Sequence, residues 1–184
     1  QKGKDRKNVI ERHGLEKKYL EWIKKQPVAK FTGYPYELYL AAKKTNRTLI
    51  EKHTFDKQFD ELLRKAKDSV SPELLEKGVL CALDTSGSMG YTGHYGAGTS
   101  VQPIDICIGL GIYFASLLQG YFHNHVIMFS DSNGWGNDGG TRFKKLTGES
   151  FCGKCDQIAG EATAWGGTNF QSVVDRIVQM RKTH

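Results

Sequence analysis

Asp84, Ser86 and Ser88 follow directly on the apolar run Val79-Leu-Cys-Ala-Leu83 and alternate along the chain. One carboxylate and two hydroxyls make a hard-oxygen donor set that suits Mg2+, Mn2+ or Ca2+, with water in the open positions. In an extended turn, alternate residues point their side chains to one side, and Gly87 lets the backbone bend between the serines. Few of these donors carry charge, so a bound ion would stay electrophilic and could accept a carboxylate from a partner. Far along the chain, Trp165-Gly-Gly-Thr168-Asn-Phe170 offers another hydroxyl. Its glycines allow close backbone approach, and Thr168 is expected to open the last helix and complete the oxygen set. Asp131 follows a second apolar run and is a further candidate acid, although Asp131-Ser-Asn-Gly134 also reads as an ordinary loop opening.

The elements that must position these residues are legible from periodicity. Val79–Leu83 and Val126–Phe129 read as short buried strands, and Arg142–Leu146 as an edge strand. Between the first two lies a loop rich in Gly, Ser and Thr over residues 85–102. A helix with almost no polar face follows over Pro103–Leu118. Further helices are expected over Phe151–Ala162 and Asn169–Met180. Strand and helix alternating at this spacing predict an α/β fold with a parallel sheet. In an open sheet of that kind, ligands bind beyond the carboxyl ends of the strands, where Asp84 sits. Upstream, helices are expected over Asp5–Lys25, from Pro35, from Thr54 as N-cap through Ala66, and briefly after Ser71-Pro72.

Composition divides the 184 residues near Gly78. Residues 1–78 carry 19 Lys and Arg against 12 Asp and Glu, whereas residues 79–184 carry 7 against 8. Of the 21 glycines, 17 lie after residue 78. The expected organisation is a basic helical extension over 1–78 and a glycine-rich α/β part over 79–184. No apolar run is long enough to span a membrane. The four cysteines lack the density of a disulfide framework. A soluble protein in a reducing, intracellular (cytoplasmic) setting is expected.

An apolar strand running into D-x-S-x-S, with G-G-T later before a helix, resembles the metal-ion-dependent adhesion site of von Willebrand factor A-type domains. The segments Pro103–Phe114, Val126–Ser130 and Trp165–Gln171 are similar to an A-domain family of plants, phages and large viruses. That family in turn resembles the TROVE proteins of the Ro ribonucleoprotein group, in which a helical RNA-binding region precedes an A-domain. Thr32-Gly-Tyr-Pro-Tyr-Glu-Leu-Tyr39 fits the end of such a region. The likeness covers most of residues 28–183. It implies a partial Rossmann-like sheet, with Ser86 and Ser88 as direct ligands of Mg2+ (or Mn2+ or Ca2+). Thr168 would bind directly or through water, and Asp84 would hold coordinating waters. It also implies another acid, at the end of a fourth strand beyond the Thr-bearing helix. The expectation is therefore a fragment whose sheet is completed by a further chain segment or a second chain.

The expected function is a non-enzymatic module that recognises a protein partner through a metal-bridged carboxylate. The alternative is an RNA-binding component like the TROVE proteins. In that reading Lys43, Lys44 and Arg47, with Lys17, Lys18, Lys24, Lys25 and Lys30, supply charge, and Tyr34, Tyr36 and Tyr39 stack on bases. A surplus of positive charge is also what a solvated helix surface carries. Cys152-Gly-Lys-Cys155 has the spacing of half a zinc site, but no second pair follows, and two helical thiols are expected. The loops at 91–98 and 131–140, the latter holding Trp135, read either as partner-contacting or as variable insertions. Ser86 lies outside any G-x-S-x-G, so nucleophilic catalysis has little support, and phosphate-loop chemistry lacks its G-x-x-x-x-G-K-S/T.

Overall fold

The structure, a computed structural model, describes residues 14–26, 31–44, 46–90, 101–131, 140–159 and 166–182. The helices are α1 (Leu15–Lys25), α2 (Pro35–Ala42), α3 (Leu49–Ser69), α4 (Pro72–Glu76), α5 (Pro103–Leu117), α6 (Phe151–Ala159) and α7 (Gln171–Lys182). The strands are β1 (Cys81–Asp84), β2 (His125–Phe129) and β3 (Thr141–Lys145), in sheet order β1-β2-β3. Strands β1 and β2 are parallel, with Asp84 level with Phe129. Strand β3 returns antiparallel to β2. The fold is thus α/β with a mixed sheet containing the expected parallel pair.

Two local expectations shift. Thr54 is not a cap: it lies inside α3 and its Oγ1 donates to the Ile50 carbonyl. The helix starts six residues earlier at Thr48, whose hydroxyl accepts the Glu51 N–H while the Glu51 carboxylate accepts the Thr48 N–H. That reciprocal pair satisfies two N–H groups that the helix start leaves without internal partners. Thr168 does not open the last helix. It sits three residues before α7, and Asn169 Oδ1 accepts the Ser172 N–H instead.

Helix α5 is the centre of the packing. On one side Gly109 meets α2, where an added Cβ would come within 2.6 Å of the Tyr36 Cα. On the other side, Gly111 leaves room for Leu83 of β1. Leu38, Tyr39, Ala42 and Phe59 from the N-terminal helices share one buried cluster with Leu83, Ile108, Ile112, Val126 and Ile158. Hydrophobic burial therefore runs without a break across the composition change near Gly78. A smaller cluster of Ile127, Phe129 and Val173 seats α7 on the other face of the sheet. Lys57 of α3 reaches back and donates to the Ile23, Lys24 and Gln26 carbonyls, closing the C-terminal end of α1. No helix among the described residues is long and apolar enough to cross a membrane.

Candidate functional site

The end of β1 places the first half of the site. Thr85 continues the ladder by one residue: both its N–H and its Oγ1 donate to the Phe129 carbonyl, at 2.8 and 3.0 Å. The chain then tightens into a 3-10 turn over Gly87–Gly90 rather than an extended one. Asp84 is fixed by this change of direction, its Oδ1 accepting the Ser86 N–H at 2.9 Å. The turn still brings Ser86 Oγ within 3.2 Å of Ser88 Oγ.

The second half arrives from 82 residues away. Thr168 Oγ1 donates to Ser86 Oγ at 3.0 Å. Backbone contacts hold this approach. The Gly87 N–H donates to the Gly166 carbonyl at 2.7 Å, and the Asp131 N–H donates to the Gly167 carbonyl in an isolated antiparallel bridge. Gly166 takes a φ of +75°, and a Cβ there would collide with the Asp131 carbonyl oxygen. Gly167 lies against the Asp131 carboxylate, 3.3 Å from where its own Cβ would stand to Oδ2. So the two glycines before Thr168 allow the close approach expected of them, and they also bring Asp131 to the same loop pair.

The structure therefore brings Ser86, Ser88 and Thr168 into one hydroxyl chain, with Asp84 bonded to its base and Asp131 beside the Thr168 loop. Ser86 is 1% exposed, while Ser88 and Thr168 are exposed and Asp84 half-buried. The donors fit a small hard cation. With metal–oxygen distances of about 2.1 Å, adjacent ligands of an octahedral ion stand about 3 Å apart, as Ser86 stands from both other hydroxyls. Among the described residues no group of three or more His, Cys, Asp or Glu side chains is placed to hold a metal. Any metal here would rest mainly on hydroxyls.

The basic residues fare differently. Lys43 pairs with the buried Asp105 carboxylate at 2.7 Å. Arg47 is folded inward, its side chain 5% exposed, with Nη2 donating to Asp156. Nε and Nη1 are buried and have no hydrogen-bond partner. Tyr39 is in the core, where burial raises its phenol pKa. Lys43, Arg47 and Tyr39 thus serve packing. Lys44 stays exposed, as do Lys17, Lys18, Lys24 and Lys25. Tyr34 and Tyr36 stack with centroids 5.9 Å apart, and Tyr34 is 68% exposed. Cys152 and Cys155 are free, buried helical thiols, whose burial keeps them protonated. The 91–98 loop, Trp135, Trp165 and Lys30 lie outside the described residues.

Sequence reasoning missed the inward Arg47–Asp156 pair, whose partners lie 109 residues apart and leave no local signal. It missed Lys154 for the same reason. That ammonium is buried and donates to Ser116 Oγ at 2.8 Å and Asn124 Oδ1 at 2.7 Å, pinning α6 to α5 and to the turn before β2.

No family model matches the chain, and no solved structure matches it. An uncharacterized protein of Acanthamoeba polyphaga mimivirus is 29% identical over 160 residues, covering 81% of this chain and 24% of that protein. The chain thus spans about a quarter of the length of the curated relative it matches.

Proposed function

We propose that this chain is a non-enzymatic interaction module that captures a protein partner through a divalent cation, with Ser86, Ser88 and Thr168 as the donors and Asp84 and Asp131 supplying negative charge. The observation that carries the reading is the convergence of Thr168 Oγ1 on Ser86 Oγ at 3.0 Å from a distant loop. A bound cation would supply a Lewis-acidic position for a partner's carboxylate. The chain's own residues do the rest. Asp84 holds the turn through the Ser86 N–H, and the glycine loop sets Thr168 over it.

The test is a Mn2+ titration followed by EPR. One saturable site is expected in the wild-type chain and none in Asp84→Ala/Ser86→Ala. Wild-type protein that leaves Mn2+ free at millimolar concentration would end this reading. In a second arm, immobilised protein is loaded with Mn2+ and is expected to retain an acidic peptide that EDTA releases.

The RNA-binding reading is favoured by one observation, the stacked and exposed Tyr34–Tyr36 pair, because an aromatic face accepts an unpaired base. Under it, Tyr34→Ala lowers retention of single-stranded RNA severalfold in a filter-binding assay, while Asp84→Ala/Ser86→Ala leaves it unchanged. Equal retention by Tyr34→Ala and wild type would count against it.

A further inference from the structure

At the other end of β2, about 13 Å from Phe129 by strand rise, a second concave surface opens. It has a volume of about 640 Å3 and is lined by Tyr121, Phe122, His125, Phe143, Ile177, Met180 and Arg181. Cavities of this size hold one small organic ligand. Three of its features restrict what that ligand is.

The walls are aromatic. His125 and Phe143 stack with centroids 5.1 Å apart, Phe122 stands edge-on to Phe143, and Tyr121 stands edge-on to Phe122. Tyr121 is 75% exposed, a large ring face with no cover among the described residues. Such walls receive a flat ring by stacking.

The only charge among the lining residues is Arg181, which forms no ion pair among the described residues. Lys145 is level with His125 across the β2–β3 pair and two residues from Phe143, so it belongs to the same face of the sheet. This charge disfavours a cationic guest and favours an anionic one.

The third feature is a ring-nitrogen acceptor. His125 Nδ1 lies 2.8 Å from the His123 carbonyl oxygen. A carbonyl only accepts, so Nδ1 carries the hydrogen, and in the neutral ring Nε2 is the acceptor. Nε2 has no hydrogen-bond partner among the described residues. It can receive an N–H from a ligand.

A flat ring, an amino N–H and an anionic group together describe a nucleotide with an amino-bearing base. We infer that this groove is a mononucleotide site, with Tyr121 stacking on the base, His125 accepting from its amino group and Arg181 pairing with the phosphate. It is separate from the hydroxyl site and does not depend on a metal there.

The experiment is isothermal titration of the 184-residue chain with AMP, purine riboside monophosphate, adenosine and a short oligoadenylate. AMP is expected to bind one-to-one. Adenosine, without the phosphate, and purine riboside monophosphate, with neither the amino group nor another base N–H, are each expected to bind about tenfold more weakly. Both Tyr121 and Arg181 are exposed, so Tyr121→Ala/Arg181→Glu is expected to keep the wild-type circular dichroism and melting curve while losing AMP binding. Three results would overturn the inference: no saturable AMP binding, AMP binding that survives the double substitution, or oligoadenylate binding without AMP binding. Purine riboside monophosphate binding as tight as AMP would overturn the role of His125 and the amino-base specificity with it.

Discussion

At the scale of single residues, the chain separates charge that is used internally from charge left for partners. Arg47 and Lys43 look alike in sequence to Lys44, yet the first two are spent on Asp156 and Asp105. The cysteines show the same inward commitment. Burial, reinforced by the Asp56 carboxylate, pushes the Cys152 thiol up to about 12, and burial raises Cys155 as well. The unfolded thiols titrate near 9.0, so above that pH the unfolded chain sheds protons that the folded chain keeps. The thiols' contribution to stability is therefore full below about pH 9 and falls as pH rises from there toward the folded value. Urea midpoints measured from pH 7 to pH 10.5 are expected to decline, and to decline less in Cys152→Ala/Cys155→Ala. A flat profile in the wild type would contradict the burial argument.

At the scale of elements, what could be read in advance was whatever left a local pattern. Apolar runs gave β1 and β2, and an all-round apolar period gave α5, because strand and helix periods are properties of neighbouring residues. The start of α3 lies at Thr48 and not at the expected Thr54. Thr48 has Glu51 three residues on and Thr54 has Lys57, so the capping-box spacing was present in the sequence and favoured Thr48. Thr48→Ala is expected to cost about 1 kcal/mol, read as a lowered melting temperature, while Thr54→Ala, which removes no cap, should cost less. Of the candidate site, the D-x-S-x-S and G-G-T pieces were legible. The backbone bridge from Asp131 to Gly167 was not, since it joins residues 36 apart through groups that every residue carries.

At the scale of the whole molecule, β1 lies at one end of the sheet order, and its outer edge, unpaired among the described residues, carries exposed apolar surface. A cavity of about 490 Å3 runs along it between Val79, Leu80 and the Cys107, Leu110 and Phe114 side of α5. Val79 and Phe114 are exposed there. An open apolar strand edge is a template for pairing with another chain. Ala82 is exposed on that strand. Ala82→Lys is expected to reduce concentration-dependent association in light scattering without lowering the melting temperature. Unchanged association would show that the edge is not where copies meet.

The two halves of the hydroxyl cluster are stapled by main-chain atoms, Gly87 to Gly166 and Asp131 to Gly167, and by the room that glycine alone leaves beside Asp131. Assembly and chemistry are thereby separable by mutagenesis. Stripping an oxygen from position 86, 88 or 168 silences one donor and spares the architecture. Adding a single methyl group at position 166 does the opposite: it parts the loops while every donor remains in the sequence.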